Sequence, residues 1–294
     1  MPSGPVSGNR SQVIVSNMTC GTTALGGRGL ICSHFREKQI TQENLMLLIH
    51  QWLVWAHIVA GSLALALFWL PMLAKKGSPL HRQSGRYYAY LLYGVSMSGI
   101  LSCVLVIAAP LYFKAKLLKA GADPEVLAAN IRAFWHFLGL LSLLSWVAIR
   151  QAVLVLKSGL DRQLLKQPLH LLPIGLLLPW AAYVLWLGVS RSQPLFIAFS
   201  LLAMASSVGA LRLIFRAKVS KMMLLREHIG SMLGSAIAIY TAFAVFGGRN
   251  LFELSQNGQL ASWLLPSVIG ISFTLWYNRH YQDKPKAVAA VQQA

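Results

Sequence analysis

The side chains in this chain best suited to chemistry are histidines that stand inside, or at the edge of, long apolar runs. Six of the eight, His50, His57, His81, His136, His170 and His228, are placed that way. A neutral imidazole is a strong ligand for haem iron or a transition metal, and helical bundles build such sites from facing helices. His50 and His57 are seven residues apart, so on a helix they share a side. Trp52, Trp55, Trp69 and Trp135 could wall a flat macrocycle, although tryptophan also belongs to the aromatic belt of a bilayer. Histidines at helix ends have a plainer use as well, bonding water or lipid phosphate among the headgroups. That use accounts for His170 and His280 and fits His57 least, because a polar group in mid-span is costly without a partner.

The elements that must position these residues follow from hydropathy. The chain has 294 residues, is 56% hydrophobic and only 12% charged, which is far from a soluble globular average. Seven apolar stretches, 46–73, 88–113, 132–156, 170–190, 194–215, 229–247 and 261–279, each match the bilayer thickness as a helix, and none of the eight acidic residues falls inside one. The expected fold is all-α: a polytopic transmembrane bundle of about seven spans, occupying residues 46–282. Residues 1–45, rich in Ser, Gly, Thr and Asn, read as a disordered tail (or an over-long start, since Met46 opens the first span), and 283–294 as a cytoplasmic tail.

The formal charge of +18 does not indicate nucleic acid, because the basic residues sit in short loops where they set orientation and meet anionic lipid. Lys75, Lys76, Arg82 and Arg86 follow the first stretch, Lys157, Arg162 and Lys166 the third, and Arg216, Lys218, Lys221 and Arg226 the fifth. The loops after the fourth and sixth hold only Arg191 and Arg249. Positive charge favours the cytoplasmic side, so the N-terminus is expected outside and the C-terminus inside. On that orientation the histidines form an outer layer, His50, His57 and His136, and an inner layer, His81, His170 and His228. Two layers on separate helices are the arrangement that a pair of b-type haems needs.

Arg212 stands one turn inside the fifth stretch and is suited to reach the interface or to hold an anion. Glu227 can orient a neighbouring imidazole or pair with Arg226 or a loop lysine. Gly230 and Gly234 form a small-xxx-small pair extended by Ser231, Ser235, Ala238 and Ala242, a surface for close helix packing that places the sixth stretch centrally or against a partner. Cys103 falls in mid-span; Cys20 and Cys32 share the N-terminal segment, paired or free. No phosphate-binding Gly loop, Cys-x-x-Cys, His-Glu-x-x-His or nucleophile elbow is present.

Three segments carry a family likeness: His57-Ile-Val-Ala-Gly61; His81-Arg82-Gln-Ser-Gly85-Arg86-Tyr-Tyr88; and His228-Ile-Gly-Ser-Met232-Leu-Gly234, continuing to Thr241-Ala-Phe243, Trp263-Leu-Leu-Pro266 and Gly270. They resemble a family of bacterial predicted membrane proteins, the domain of unknown function numbered 2306 and its relatives. The resemblance implies a multi-pass protein of a bacterial inner membrane with no established activity, and it singles out His57, His81, Arg82 and His228.

The expectation is therefore a multi-pass inner-membrane protein in which His57, His81, His136 and His228, with Arg82, hold haem b or a metal for electron transfer. The alternatives are a cofactor-free transporter or lipid-interacting scaffold, and an accessory subunit docked through the Gly230/Gly234 face. The expected partners are the lipid bilayer with its anionic headgroups on the cytoplasmic face, and a second copy or a membrane complex.

Overall fold

The computed structural model describes residues 28–247 and 256–280, with side chains from residue 44 onward except at 256, 257, 259, 260, 277, 278 and 280. The expected tail 1–45 lies largely outside the described residues, and 283–294 does so entirely. The chain divides into two compact units, 1–48 and 49–294. The first contributes helix up to its boundary, because helix α1 is Arg28–Leu67 and so starts within the stretch expected as tail. From Arg36 to Asn44 the sequence has neither Gly nor Pro to interrupt it.

In the second unit five long helices start at local signals. Ser78 caps α3 (Pro79–Ala108) by accepting from the His81 amide, and Asp123 caps α5 (Pro124–Ser158) by accepting from the Glu125 amide at 2.8 Å. Ser220 caps α8 (Lys221–Ala242) through the Met223 amide, and proline opens α3, α5, α6 (Pro168–Ser190) and α7 (Pro194–Phe215). Short helices α2 (Trp69–Leu73) and α4 (Pro110–Phe113) flank α3. A π-turn at Phe243–Gly247 follows α8, and α9 is Gln256–His280. Helix α5 ends at Gly159, whose φ of 63° suits only a residue without Cβ. A few residues on, Arg162 at φ 56° is buried, and its guanidinium donates to the carbonyls of Leu213 and Ile214 at 2.9 and 3.2 Å and to that of Arg216. A cation thereby satisfies the orphan carbonyls that end α7.

Polarity is inverted relative to a soluble bundle. Leu73, Leu169, Leu172, Trp186, Val189 and Ile269 are exposed, whereas Ser96, Ser102, Ser200, Ser207, Gln151 and His170 are buried. Such a surface suits hydrocarbon and not water. Among the described residues, six helices are long and apolar enough to cross a membrane: Asn44–Leu73, Pro79–Ala108, Pro124–Asp161, Pro168–Ser190, Pro194–Phe215 and Lys221–Gly247. The seventh expected stretch falls on α9, whose apolar part, Ala261–Trp276, is shorter.

Helix α5 is central, packing on α3, α6, α7 and α8, and α8 packs in turn on α9. One core runs along α5, α6 and α7, with Phe137 stacked on Phe196 at 4.6 Å and in contact with Trp263. A second gathers Ala64, Tyr88, Ala89, Leu92, Ile149 and Ile239. Close approach requires Gly139, where a Cβ would fall 2.5 Å from the Trp180 ring. Gly230 faces Thr274 of α9, so part of the small-residue surface is used within the chain.

One end of the bundle holds the start of α3, α6 and α8 and the end of α5 and α7, where Lys157, Arg162, Lys166, Arg216, Lys218 and Lys221 lie; it is the basic end. The opposite end gathers Phe113, Trp135, Phe137, Phe196, Phe246 and Trp263; it is the aromatic end.

Candidate functional site

Three of the expected site histidines share one arrangement. The Nδ1 of His57 lies 3.0 Å from the Val95 carbonyl, that of His81 2.8 Å from the Pro71 carbonyl, and that of His228 2.7 Å from the Ala152 carbonyl. A carbonyl oxygen only accepts, so in each imidazole Nδ1 carries the proton and donates it. In the neutral ring the Nε2 lone pair is then left for another partner. This is the tautomer that metal-binding histidines adopt when a backbone carbonyl orients them. The same bonds join α1 to α3, α2 to α3, and α8 to α5.

His81 and His228 are held within electrostatic reach of one another, at the starts of α3 and α8. The local sequence explains both. Ser78 and Pro79 fix the first turn of α3 with His81 in it, and the proline-containing turn of α2 offers the Pro71 carbonyl. His228 is set two turns into α8, opposite Ala152 of the central helix.

Next to them lies a buried polar chain. His170, 1% exposed, bonds through Nε2 to Gln151 Oε1 at 2.8 Å, and Gln151 Nε2 donates to Glu227 Oε1 at 3.0 Å. Because the carboxylate takes the amide's NH2 side, the amide oxygen faces His170 and His170 must donate from Nε2. Its Nδ1 is buried with no hydrogen-bond partner, as is Nε of neighbouring Arg150. Arg150 lies beside His170 and within hydrogen-bonding reach of Tyr93. Ser231 is a second partner for Glu227. The chain therefore ties α5, α6 and α8 together through one glutamine.

Two expectations change here. The sixth span begins at Lys221 and not at 229, so a carboxylate, Glu227, does stand within a candidate span. Glu227 accepts from Gln151 across the helix interface. His170, assigned to the headgroup region, is interior. Arg150 and Gln151 were visible as a polar doublet inside the third apolar stretch, and that doublet was the signal for the whole network.

The outer group does not converge. His50 is buried edge-on against Phe113 and Trp135, with Nδ1 unpartnered, and Lys114 sits 4.8 Å above the Trp135 ring. Burial there pushes the Lys114 ammonium below the ordinary lysine range. His57 stands against Val95, Ser98 and Gly99. His136 turns the other way, toward α6, where its ring meets Tyr183 at 4.9 Å and its carbonyl accepts from Trp180 Nε1. Arg82 is exposed on the outer face of α3 beside Arg86, and Arg212 is exposed at the end of α7. Among the described residues no three His, Cys, Asp or Glu side chains gather as a metal site.

The fold and this site define an all-helical bundle with candidate membrane spans and a polar cluster built into its basic end. The chain matches no family model, no curated protein and no solved structure.

Proposed function

We propose that the chain is a membrane electron-transfer protein that holds haem b at its basic end through His81 and His228. One observation carries this reading: two imidazoles on separate helices have Nδ1 pinned to a backbone carbonyl and stand within reach of each other. Both therefore leave Nε2 as a neutral nitrogen donor, and these two imidazoles would hold the haem iron. The donor set fits: neutral nitrogen on both sides and no thiolate or carboxylate required. When bound, haem b supplies one-electron chemistry. The protein's part is to hold the ligands in register and to keep water from them. The Pro71 and Ala152 carbonyls fix both rings, while Tyr88, bonded to Ser235 at 3.1 Å, packs α3 against α8 above them.

In this reading α9 is the seventh span, and the basic end faces the cytoplasm of a bacterial inner membrane, because basic loops stay inside. The likeness of the His81–Tyr88 and His228–Gly234 segments to the bacterial membrane family supports the same assignment.

The test is an absorption spectrum, oxidised and then dithionite-reduced, of the full chain purified from haem-replete cells in mild detergent. A Soret band that shifts and sharpens on reduction, with resolved α and β bands, is expected. A colourless preparation overturns the haem and leaves the histidine–carbonyl bonds as ties between helices, the cofactor-free scaffold.

A further inference from the structure

The exposed face at the start of α3 carries Arg82 and Arg86, four residues apart, with Gln83, Tyr87 and Tyr90. Together with Pro79 they line an open groove of about 480 Å³. Residues at i and i+4 stack along one side of a helix, so the two guanidiniums are separated by one turn, roughly 6 Å of rise. Both side chains are exposed. Among the described carboxylates, Asp123 caps α5, Asp161 accepts from the Gln163 amide, Glu227 bonds Gln151, and Glu125 stands in the first turn of α5 at the opposite end of the bundle. Among the described residues, these two planar cations therefore face outward without an acidic partner, on a helix whose N-terminus adds a partial positive charge. Tyr87 is 54% and Tyr90 60% exposed, deeper along the same helix. Tyrosine at that depth is amphipathic, with its ring against acyl chain and its hydroxyl among headgroups.

We infer that this groove binds the phosphate of an anionic phospholipid from the leaflet at the basic end. Arg82 and Arg86 clasp the phosphodiester, whose negative charge complements the pair and whose oxygens match a guanidinium fork. Gln83 and the tyrosine hydroxyls reach the glycerol region, and the rings pack on the first methylenes. The inference rests on α3 being a membrane span and not on the haem, so the two can fail separately.

The experiment is native mass spectrometry of the full chain released from mild detergent, after incubation with equimolar phosphatidylglycerol and phosphatidylcholine. The wild-type chain should retain phosphatidylglycerol over phosphatidylcholine, and Arg82→Gln with Arg86→Gln should reduce that retention roughly thirtyfold, as expected for two basic side chains at a lipid surface. Arg191→Gln, at the opposite end, should leave it unchanged. Both positions in the groove are exposed, so the double variant should keep the wild-type thermal midpoint, and an unchanged midpoint shows that retention was lost at the site. Equal retention of the two lipids, or unchanged retention in the double variant, overturns the inference. A saturating excess of inorganic phosphate should leave the lipid bound; displacement by phosphate would instead assign the groove to a free anion.

Discussion

The two ends of the bundle handle histidine in opposite ways. At the basic end, imidazoles from α3, α6 and α8 each have a defined hydrogen-bond partner and tautomer, and those of α3 and α8 stand within electrostatic reach of one another. At the aromatic end the imidazoles of α1 and α5 diverge, and rings fill the space between helices: Phe137 on Phe196, His50 on Phe113, His136 on Tyr183. In hydrocarbon a polar side chain must find its partner within the protein, so a convergent polar cluster marks where a fold spends specificity. Packed rings need no partner. One end thus carries paired polar side chains and the other packed rings.

That contrast can be broken most directly by alanine at the two proposed ligands. His81→Ala or His228→Ala should abolish the reduced α band, while His136→Ala should leave it, as read from paired absorption spectra. Phe137→Ala removes a fully buried ring that stacks on Phe196 and touches Trp263. It should cost about 3 kcal/mol, read as a lowered thermal midpoint in detergent, without altering the spectrum of the surviving folded protein. Gln151→Leu keeps the volume but leaves His170 without its acceptor and Glu227 with Ser231 in place of two partners, a loss of about 1–3 kcal/mol. Glu227→Gln, which still accepts from Gln151, should lose much less than Gln151→Leu; equal losses would show that the negative charge, and not the amide bridge, holds these helices. Arg162→Ala uncaps α7 and should cost about 1 kcal/mol.

The helices were legible because span length, proline at N1 and Ser or Asp caps are local signals. As residues to test, His81 and His228 were legible as well, through their depth along the spans and the resemblance they carry. Their pairing was not, since it depends on α2 presenting the Pro71 carbonyl and α5 the Ala152 carbonyl, facts of tertiary packing. The outer layer was expected to mirror the inner one because depth along a helix can be counted from sequence. Azimuth cannot: Trp135 and His136 are neighbours at one depth, yet Trp135 faces His50 and His136 faces Tyr183. Glu227 was misplaced for a different reason. A basic, partly polar first turn disguised the start of α8, and the hydropathy window opened eight residues after the helix does at Lys221.

The measurement that bears most directly on the account is low-temperature electron paramagnetic resonance of the oxidised protein, wild type against His81→Ala, His228→Ala and His136→Ala. Two axial imidazoles give a low-spin ferric signal. The account predicts that signal in the wild type and in His136→Ala, and its loss or conversion to high spin in both of the other variants. A low-spin signal that survives His81→Ala and His228→Ala but is lost in His136→Ala would place the ligands at the aromatic end and contradict it.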